Sequence, residues 1–341
     1  MADKWKQTAL LVMGMQKDYV LEDGLMRLKG AKAIVPNVIK AVEIARQRGI
    51  LIVWVVREHD YCGRDVELFR RSFYCPEKGG PATKGSEGAE LVDGLEIRKV
   101  KTRFSAFFDT NLHTFLQSNG VNNLVVIGIQ TPNCIRQTVF DAVAHNYPSV
   151  TVIVDATAAA TPKDAMVVTL TSLLDDMHYA CLTELQYSEL QLLFYIDIVI
   201  DLCIDVELFR RRNFTPGGGP ATKGTEGAEL VDGLDIKIQD YKLVKTRFSA
   251  FFNTNLHTFL QSNGINNLVV TGFQTPNCIR QTVFDAVEHD YHSVTVIADA
   301  TAAATPEVHE ANLFDMRNIE VATPTLEEWA AETNMPVDMS K

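Results

Sequence analysis

The chain has 341 residues, of which 46% are hydrophobic and 22% charged, so it has a globular composition and room for two ordinary domains. Its net charge of −11 and its lack of a basic run make the chain a poor candidate for binding nucleic acid or anionic membranes. The longest apolar run, at 192–204, contains two aspartates and is too short to cross a bilayer.

The N-terminal stretch and the cysteines indicate where in the cell the protein is expected. The N-terminal stretch MADKWKQTALLVMGM has too short an apolar run to act as a signal peptide. The six cysteines form neither a CxxC pair nor a dense framework. We therefore expect free thiols and a cytoplasmic location.

Short apolar runs alternate with helical patterns through the first half of the chain. The patterns predict strands at 8–14, 50–56, 123–128 and 149–155, and helices at 31–49, 110–120 and 133–146. Because the strands are continuously apolar, they are typical of a parallel sheet covered on both faces by helices. The predicted fold class is therefore α/β, with functional sites at the carboxyl ends of strands.

A long repeat covers most of the chain. Residues 101–162 recur at 245–306 with eight differences in 62 positions, DVELFRR at 65–71 recurs at 205–211, and most of 80–95 recurs at 219–234. The period, near 140 residues, is too long for a solenoid. We interpret the repeat as a duplication of most of one domain, and we call its two parts the first and second copies.

The first two predicted strands occur only once, so the two copies compete for them. One organisation has a unit at 1–162 that lacks its last strand and helix, a connecting segment at 163–204, and a unit at 205–341 that lacks its first two strands. The alternative joins 1–64 to 205–341 and treats 65–204 as an insertion. Local pairing favours the first organisation, in which the first copy takes residues 1–64.

The connecting segment resembles no other part of the chain. We predict a helix within 164–193, which would loosely replace the tail that the first copy lacks. The segment suggests no function.

Cys134 follows a predicted strand and a tight turn, and it stands at the start of a predicted helix in VVIGIQTPNCIRQTVFDA. Unpaired N–H groups and the positive end of the helix favour a thiolate there. An inert buried cysteine is the alternative. Cys278 has the same setting in the second copy, and the pattern favours a nucleophile at both positions.

Lys101 and Lys245 each stand at the end of a short apolar stretch, in the motif VKTRFSAFF. Taken alone, each is most simply a lysine whose stem covers apolar surface while its ammonium reaches water. Arg103 and Arg247 likewise read as surface or ion-pair residues.

The ordered motifs ALLVMGMQKDY, ARQRGILIVWVVREH, VKTRFSAFF and GIQTPNCIRQT together resemble the isochorismatase-like cysteine hydrolases. This superfamily includes nicotinamidases, isochorismatases, N-carbamoylsarcosine amidases and ureidoacrylate amidohydrolases. Within it, the chain most resembles plant members described as isochorismatase-like proteins or as probable inactive nicotinamidases. The resemblance covers 1–162 and 205–329 and implies a three-layer Rossmann-like sandwich around a six-stranded parallel sheet.

The resemblance implies a catalytic triad of aspartate, lysine and cysteine that cleaves an amide through a thioester. Cys134 and Cys278 match the nucleophile, and Lys101 and Lys245 match the lysine. The family's oxyanion hole, beside a cis peptide, maps to the N–H groups of two residue pairs: Gln130 with Cys134, and Gln274 with Cys278. Gln16, Tyr19 and Arg57 match residues that line the substrate pocket.

The triad aspartate is missing. Gly14 stands at its position in LLVMGMQ, and the second copy has no equivalent strand. Asp18 matches a different acidic position and would have to move to act as a base. Since losing a general base commonly costs about 10²–10⁴-fold in rate, we expect an impaired enzyme.

The resemblance implies no cofactor for the triad chemistry itself. Glu58, His59 and Asp60 stand where nicotinamidases bind zinc, but the Asp-x-His pattern and the further histidines are missing, so we predict no metal. The chain also has no phosphate-binding glycine motif.

Two functions follow from these residues. One is an impaired hydrolase that acts on C–N bonds of small amides through a cysteine thioester. The other is an inactive descendant that binds a ligand or forms oligomers. Family members often form dimers or tetramers, so a homo-oligomer is the implied macromolecular partner, with no nucleic acid and no membrane.

Overall fold

The structure is a computed structural model that describes residues 2–92, 98–159, 183–186, 193–198, 200, 205–215, 219, 221–228 and 240–332. The chain divides into two compact units, Met1–Val168 and Thr169–Lys341. We describe each unit separately, as the first and the second unit. None of the described helices is long and apolar enough to span a bilayer.

The first unit alternates strands and helices in the predicted order. Its elements are α1 (Ala2–Lys6), β1 (Thr8–Met13), α2 (Lys17–Val20), α3 (Ala31–Gln47), β2 (Leu51–Arg57), β3 (Arg98–Lys101), α4 (Leu112–Ser118), β4 (Asn123–Ile129), α5 (Arg136–Ala144) and β5 (Ser149–Ala158). Short 3-10 helices at Leu68–Phe73 and Glu87–Ala89 lie between β2 and β3. The predicted strands and helices are thus confirmed, with shifts of a few residues at their ends.

The first unit's sheet has five strands in the order β3-β2-β1-β4-β5, and every pairing is parallel. All six residues of β1 are buried, because β1 lies in the middle of the sheet and its apolar side chains are covered on both faces. In the parallel ladders, Met13 pairs with Gly128 and Arg57 with Lys101. The carboxyl ends of four strands therefore meet at one edge of the sheet.

The strands that occur once in the sequence lie in the first unit. β1 pairs with β4 and β2 pairs with β3, so residues 8–57 share a sheet with the first copy.

The second unit contains a similar series of elements. They are β6 (Thr183–Gln186), β7 (Leu193–Ile198), β8 (Tyr241–Lys245), α6 (Leu256–Ser262), β9 (Asn267–Phe273), α7 (Arg280–Glu288), β10 (Ser293–Ala302), α8 (Pro306–Arg317) and α9 (Leu326–Glu332). Its sheet also has five strands, in the order β10-β9-β6-β7-β8.

Two strands from the connecting segment complete the second sheet. β6 lies beside β9, at the place that β1 has beside β4, and β7 lies beside β8, at the place of β2 beside β3. The predicted helix within 164–193 is therefore wrong at Thr183–Gln186, and the rest of that range except Leu193 lies outside the described residues. Without β6, the edge of β9 would have unpaired backbone N–H and C=O groups. The hydrogen bonds that β6 forms with this edge outweigh the weak local helix preference of the segment.

β6 runs antiparallel to β9, whereas β1 runs parallel to β4. Thr183, the first residue of β6, pairs with Gly272, which matches Gly128 in the first copy. Consequently the amino end of β6 lies where the first unit has the carboxyl end of β1. The second sheet is mixed, which departs from the wholly parallel sheet that the resemblance implies.

A further segment runs along the outer edge of β10. The Val296 N–H donates to the Ala322 carbonyl, the Ala298 N–H donates to the Pro324 carbonyl (both 2.8 Å), and the Ala322 N–H donates to the Val294 carbonyl (3.2 Å). Among the described residues, β5 ends the first unit's sheet without such a neighbour. Val154, the counterpart of Ala298, is accordingly 78% exposed.

Candidate active site

Cys134 lies at the edge of the first sheet where the strands end. It belongs to a π-helical turn, Thr131–Ile135, that leads into α5, and its side chain is buried. β4 approaches β1 closely at Gly128, because a Cβ there would meet the Met13 carbonyl oxygen at 2.1 Å. The predicted strand–turn–cysteine–helix arrangement is present, and a cis peptide joins Ile129 to Gln130 just before the turn.

Lys101 ends β3 and is buried, which is not the surface position that its sequence alone favours. Its ammonium donates to the carbonyl of Phe104 and forms a hydrogen bond with the sulfur of Cys134. A buried ammonium group needs such partners, since an unpaired charge would be costly to desolvate. The structure therefore brings Lys101 and Cys134 together.

Arg57 ends β2 and provides a second cation at the sulfur. Its Nη2 lies 3.8 Å from the Sγ of Cys134 and 3.1 Å from Oε1 of Glu67. Its Nη1 lies 3.3 Å from the other Glu67 oxygen and donates to the Thr102 carbonyl at 3.0 Å. A fully buried Glu67 thus holds the guanidinium by both terminal nitrogens, and Arg57 contacts the Cys134 sulfur itself.

Glu67 and Arg70 were not predicted from the sequence. The Nε of Arg70 lies 3.3 Å from Glu67, and its guanidinium lies over the Phe104 ring. Burial disfavours the Glu67 carboxylate, but Arg57 and Arg70 outweigh that effect and hold its pKa well below the ordinary value. The only sequence signal was the recurrence of an acidic residue within DVELFRR in both copies.

The charges around Cys134 favour its thiolate. Burial by itself raises a thiol pKa, but Lys101, Arg57 and Arg70 act in the opposite direction and together lower the pKa of Cys134 to about 6. The free cysteine value is about 8.5. The sulfur is therefore largely ionised at neutral pH.

We expect Cys134 to react with iodoacetamide at a rate that rises with pH around a midpoint of about 6. Peptide mass spectrometry would follow each cysteine, and the exposed Cys62 supplies an internal reference outside the site. A Cys134 midpoint at or above the free cysteine value of about 8.5 would contradict this prediction.

Gly14 follows β1 and presents no side chain to the sulfur. Its backbone has φ +65°, its N–H donates to the Val55 carbonyl at 2.9 Å, and a Cβ would meet the Ile129 carbonyl oxygen at 2.9 Å. Asp18, four residues later, has backbone N–H groups as its hydrogen-bond partners. Its Oδ2 accepts the Ala82 N–H at 2.7 Å and its Oδ1 accepts the Leu25 N–H at 3.2 Å.

Gln16 and Tyr19 are buried near Arg57. The Gln16 side chain bonds the backbone of Arg57 in both directions, accepting its N–H and donating to its carbonyl (2.7 Å each), and also donates to the Ala89 carbonyl. Burial raises the pKa of Tyr19, which keeps its hydroxyl neutral. Gln16 therefore supports the end of β2, and the contact of Gln16 and Tyr19 with substrate stays a prediction.

His59 lies beside Arg57, with its Nε2 3.4 Å from the Arg57 Nη1. Burial and then the Arg57 charge lower its pKa to about 2, so the imidazole is neutral at physiological pH. Asp60 forms hydrogen bonds with the guanidinium of Arg64. Within the described ranges, no three His, Cys, Asp or Glu side chains are grouped to hold a metal ion.

The second unit has a Lys–Cys pair of its own. The Nζ of Lys245 lies 3.2 Å from the Sγ of Cys278 and donates to the carbonyls of Arg247 and Phe248. Cys278 is buried in a π-helical turn, and a cis peptide joins Phe273 to Gln274 before it.

The surroundings of this second pair differ from those in the first unit. Ile198 pairs with Lys245 at the register that Arg57 has with Lys101, and Ile200 bridges Thr222 as His59 bridges Thr83. Glu207, the counterpart of Glu67, accepts the Phe248 N–H at 3.1 Å and the Arg210 Nη1 at 2.9 Å. The arginine that contacts the first sulfur thus has an isoleucine as its counterpart.

The backbone near each cysteine places the candidate oxyanion donors. The Gln130 carbonyl accepts the N–H groups of Asn133 and Ile135, and the Gln274 carbonyl accepts those of Asn277 and Ile279. These contacts hold each cysteine turn against the cis peptide before it. Donation by Gln130 and Cys134, or by Gln274 and Cys278, to a substrate oxygen stays a prediction.

Sequence comparison identifies the family of this chain. A family model described as the isochorismatase domain matches residues 8–173 and 198–328. The chain belongs to the isochorismatase family. The order of strands, the lysine that ends β3 and the cysteine after β4 thus belong to an isochorismatase domain whose first strand is followed by Gly14.

Individual relatives match about half of this isochorismatase-family chain. A probable inactive nicotinamidase of Arabidopsis thaliana is 66% identical over 169 residues, which are 48% of this chain and 86% of the relative. An isochorismatase family protein of Desulfovibrio vulgaris is 38% identical with a TM-score of 0.47, covering 49% of this chain and 90% of that one. The N-carbamoylsarcosine amidase of Thermoplasma acidophilum is 26% identical with a TM-score of 0.42, covering 48% and 91%.

Proposed function

We propose that this chain is a cysteine-dependent hydrolase that cleaves C–N bonds of small amides through a thioester, at a rate reduced by Gly14. The observation that carries the proposal is the buried contact between a lysine ammonium and a cysteine sulfur in each unit. Such a pair supplies an ionised nucleophile without a metal or cofactor.

Each residue has a role in this scheme. The thiolate of Cys134 or Cys278 attacks the amide carbonyl, while Lys101 or Lys245 stabilises the sulfur's charge. The N–H groups of Gln130 and Cys134, or of Gln274 and Cys278, bind the oxygen of the tetrahedral intermediate. In the first unit Gln16, Tyr19 and Arg57 line the substrate pocket.

Specific observations also favour the second candidate, an inactive protein that binds a ligand or forms oligomers. Gly14 has no side chain to accept the thiol proton or deliver it to the departing amine. Both Asp18 oxygens accept backbone N–H groups elsewhere. A relative of high identity is named a probable inactive nicotinamidase.

The domain organisation belongs to the same proposal. Pairing of β1 and β2 with strands of the first copy supports a unit at 1–162. β6 and β7 support a connecting segment that supplies two strands to the second copy. Homo-oligomers and a cytoplasmic location are proposed from the resemblance and from the cysteine content, respectively.

The test is ammonia release from nicotinamide, ureidoacrylate and an N-carbamoyl amine. We expect slow, saturable turnover that is lost when both nucleophiles are changed, in the double variant Cys134→Ser/Cys278→Ser. Each single variant would assign the activity to one unit. Turnover by the unchanged chain that is no faster than that of the double variant would leave the inactive alternative.

A further inference from the structure

The Cys134 sulfur is faced by cations, and no described carboxylate contacts it. Lys101 of β3 and Arg57 of β2 form hydrogen bonds with the sulfur, and Arg70 adds a further positive charge. Tyr19 of α2 also faces the thiolate, with its phenol neutral. A carboxylate–sulfur hydrogen bond is not found anywhere in the described part of this site.

The carboxylates of Asp18 and Glu67 are bound to other partners. Asp18 holds the N–H groups of Ala82 and Leu25. Glu67 lies in a salt bridge with Arg57 and Arg70, and these cations keep it ionised. Neither group can readily receive the thiol proton and carry it to a leaving group.

This arrangement affects the two halves of acyl transfer differently. Attack needs no base, because the cations already keep the sulfur ionised. Departure of an amine needs a proton, since an unprotonated amide nitrogen is a far poorer leaving group than the thiolate. Without that proton, the tetrahedral intermediate expels the thiolate and returns to the starting amide. Departure of an aryloxide or a thiolate needs no proton.

We propose that the Cys134 site acts on activated acyl compounds, namely aryl esters and thioesters, with Arg57 as the residue that positions the ionised sulfur. The sulfur lone pair forms an S–C bond to the acyl carbon, and the C–O or C–S bond to the leaving group breaks, its electron pair leaving with the anion. Water then attacks the thioester, giving the free acid and the thiolate and releasing its proton to solvent. The proposal rests on the proposed function only in taking Cys134 as the nucleophile.

The second unit offers a natural comparison within the same chain. Ile198 stands at the register position of Arg57, so the Cys278 site has no guanidinium from that strand position. Lys245 still contacts the Cys278 sulfur. Acylation that depends on Arg57 should therefore appear at Cys134 in excess over Cys278.

The experiment is single-turnover acylation of the full chain by p-nitrophenyl acetate, phenyl acetate and p-nitroacetanilide, with peptide mass spectrometry to locate the acyl group. We expect a burst of p-nitrophenolate, acyl label on Cys134, and acylation by p-nitrophenyl acetate about 10²–10⁴-fold faster than by p-nitroacetanilide. Phenyl acetate should lie between them. Cys62→Ser, which removes an exposed thiol outside the site, should leave the burst unchanged.

The role of Arg57 is tested by the pH profile of the burst. Arg57→Met should move the midpoint upward from about 6, while Arg57→Lys, which keeps the charge, should move it less. Arg57→Met takes away one of the two cations that pair with Glu67, so the double variant Arg57→Met/Glu67→Met, which removes the Glu67 charge as well, serves as its control. An unchanged midpoint in all three variants would remove Arg57 from the proposal.

The outcomes separate this inference from the amidase proposal. Ester acylation of Cys134 without amide turnover supports the inference and overturns the amidase. Amide acylation within tenfold of the ester rate overturns the inference and leaves the amidase standing. Absence of acyl label on Cys134 with every compound overturns both.

Discussion

Gly14→Asp is expected to increase Cys134-dependent amide hydrolysis by about 10²–10⁴-fold over Gly14→Asn, the range typical of a general acid–base group. Gly14 directly follows β1 in the middle of the first sheet, and the motif resemblance implies that the family's triad aspartate corresponds to this position. A carboxylate there could take the thiol proton and deliver it to the departing amine. Asparagine matches its shape without its basicity.

The asparagine variant also controls for backbone strain. Gly14 has φ +65°, and any Cβ would lie 2.9 Å from the Ile129 carbonyl oxygen, so both variants should lose about 1–3 kcal/mol of stability. Ammonia release would be compared at equal folded concentration, with thermal unfolding recorded for each variant. Equal rates for the two variants would mean that the missing carboxylate is not what limits hydrolysis.

Glu67→Gln is expected to destabilise the first unit by about 3–5 kcal/mol, the usual cost of breaking a buried ion pair by removing one partner. Glu67 is fully buried, and its carboxylate accepts hydrogen bonds from both terminal nitrogens of Arg57 and forms a salt bridge with Arg70. Glutamine preserves the volume but leaves the Arg57 charge without its counterion. Urea unfolding followed by tryptophan fluorescence measures the loss, in a Trp329→Phe background where Trp5 and Trp54 report on the first unit.

The matched control is Glu207→Gln in the second unit, where Ile198 stands at the register position of Arg57. We expect a smaller loss there, measured with Trp329 as the reporter. Equal losses in the two units would show that Arg57 contributes little to the stability of Glu67.

The pH dependence of the Glu67 effect has a definite sign. The folded-state pKa of Glu67 lies below its unfolded-state value of about 4.3, so its contribution is complete well above that pH. The contribution is lost as the pH falls from about 5 toward the depressed folded-state value. The difference between the unchanged chain and Glu67→Gln should therefore shrink in acid.

Residues whose role depends on local pattern could be recognised from the sequence. Continuous apolar runs identified β1, β2, β4 and β5, because strands buried on both faces tolerate few polar side chains. Cys134 could be placed after a strand and before a helix by the same pattern. Lys101 could be assigned to the site only through the family motif, since nothing local separates it from a surface lysine.

Residues whose role depends on distant partners could not be recognised in this way. Arg57 was expected to line a substrate pocket, and the structure shows that it also contacts the Cys134 sulfur and Glu67. Glu67 lies in a charged run that reads as solvated surface. Its burial depends on where the segment after β2 folds back over the site.

The sequence by itself determined the α/β class and the repeat, because apolar periodicity and side-chain identity are local properties, and the two Lys–Cys pairs and the place of Gly14 in the triad were predicted only through the family motifs. Tertiary structure alone decided which copy shares a sheet with β1 and β2, and that β6 and β7 take the corresponding places in the second sheet. It also decided that β6 enters antiparallel to β9. Backbone hydrogen bonds between strands set these pairings, and such bonds depend weakly on which side chains the strands carry.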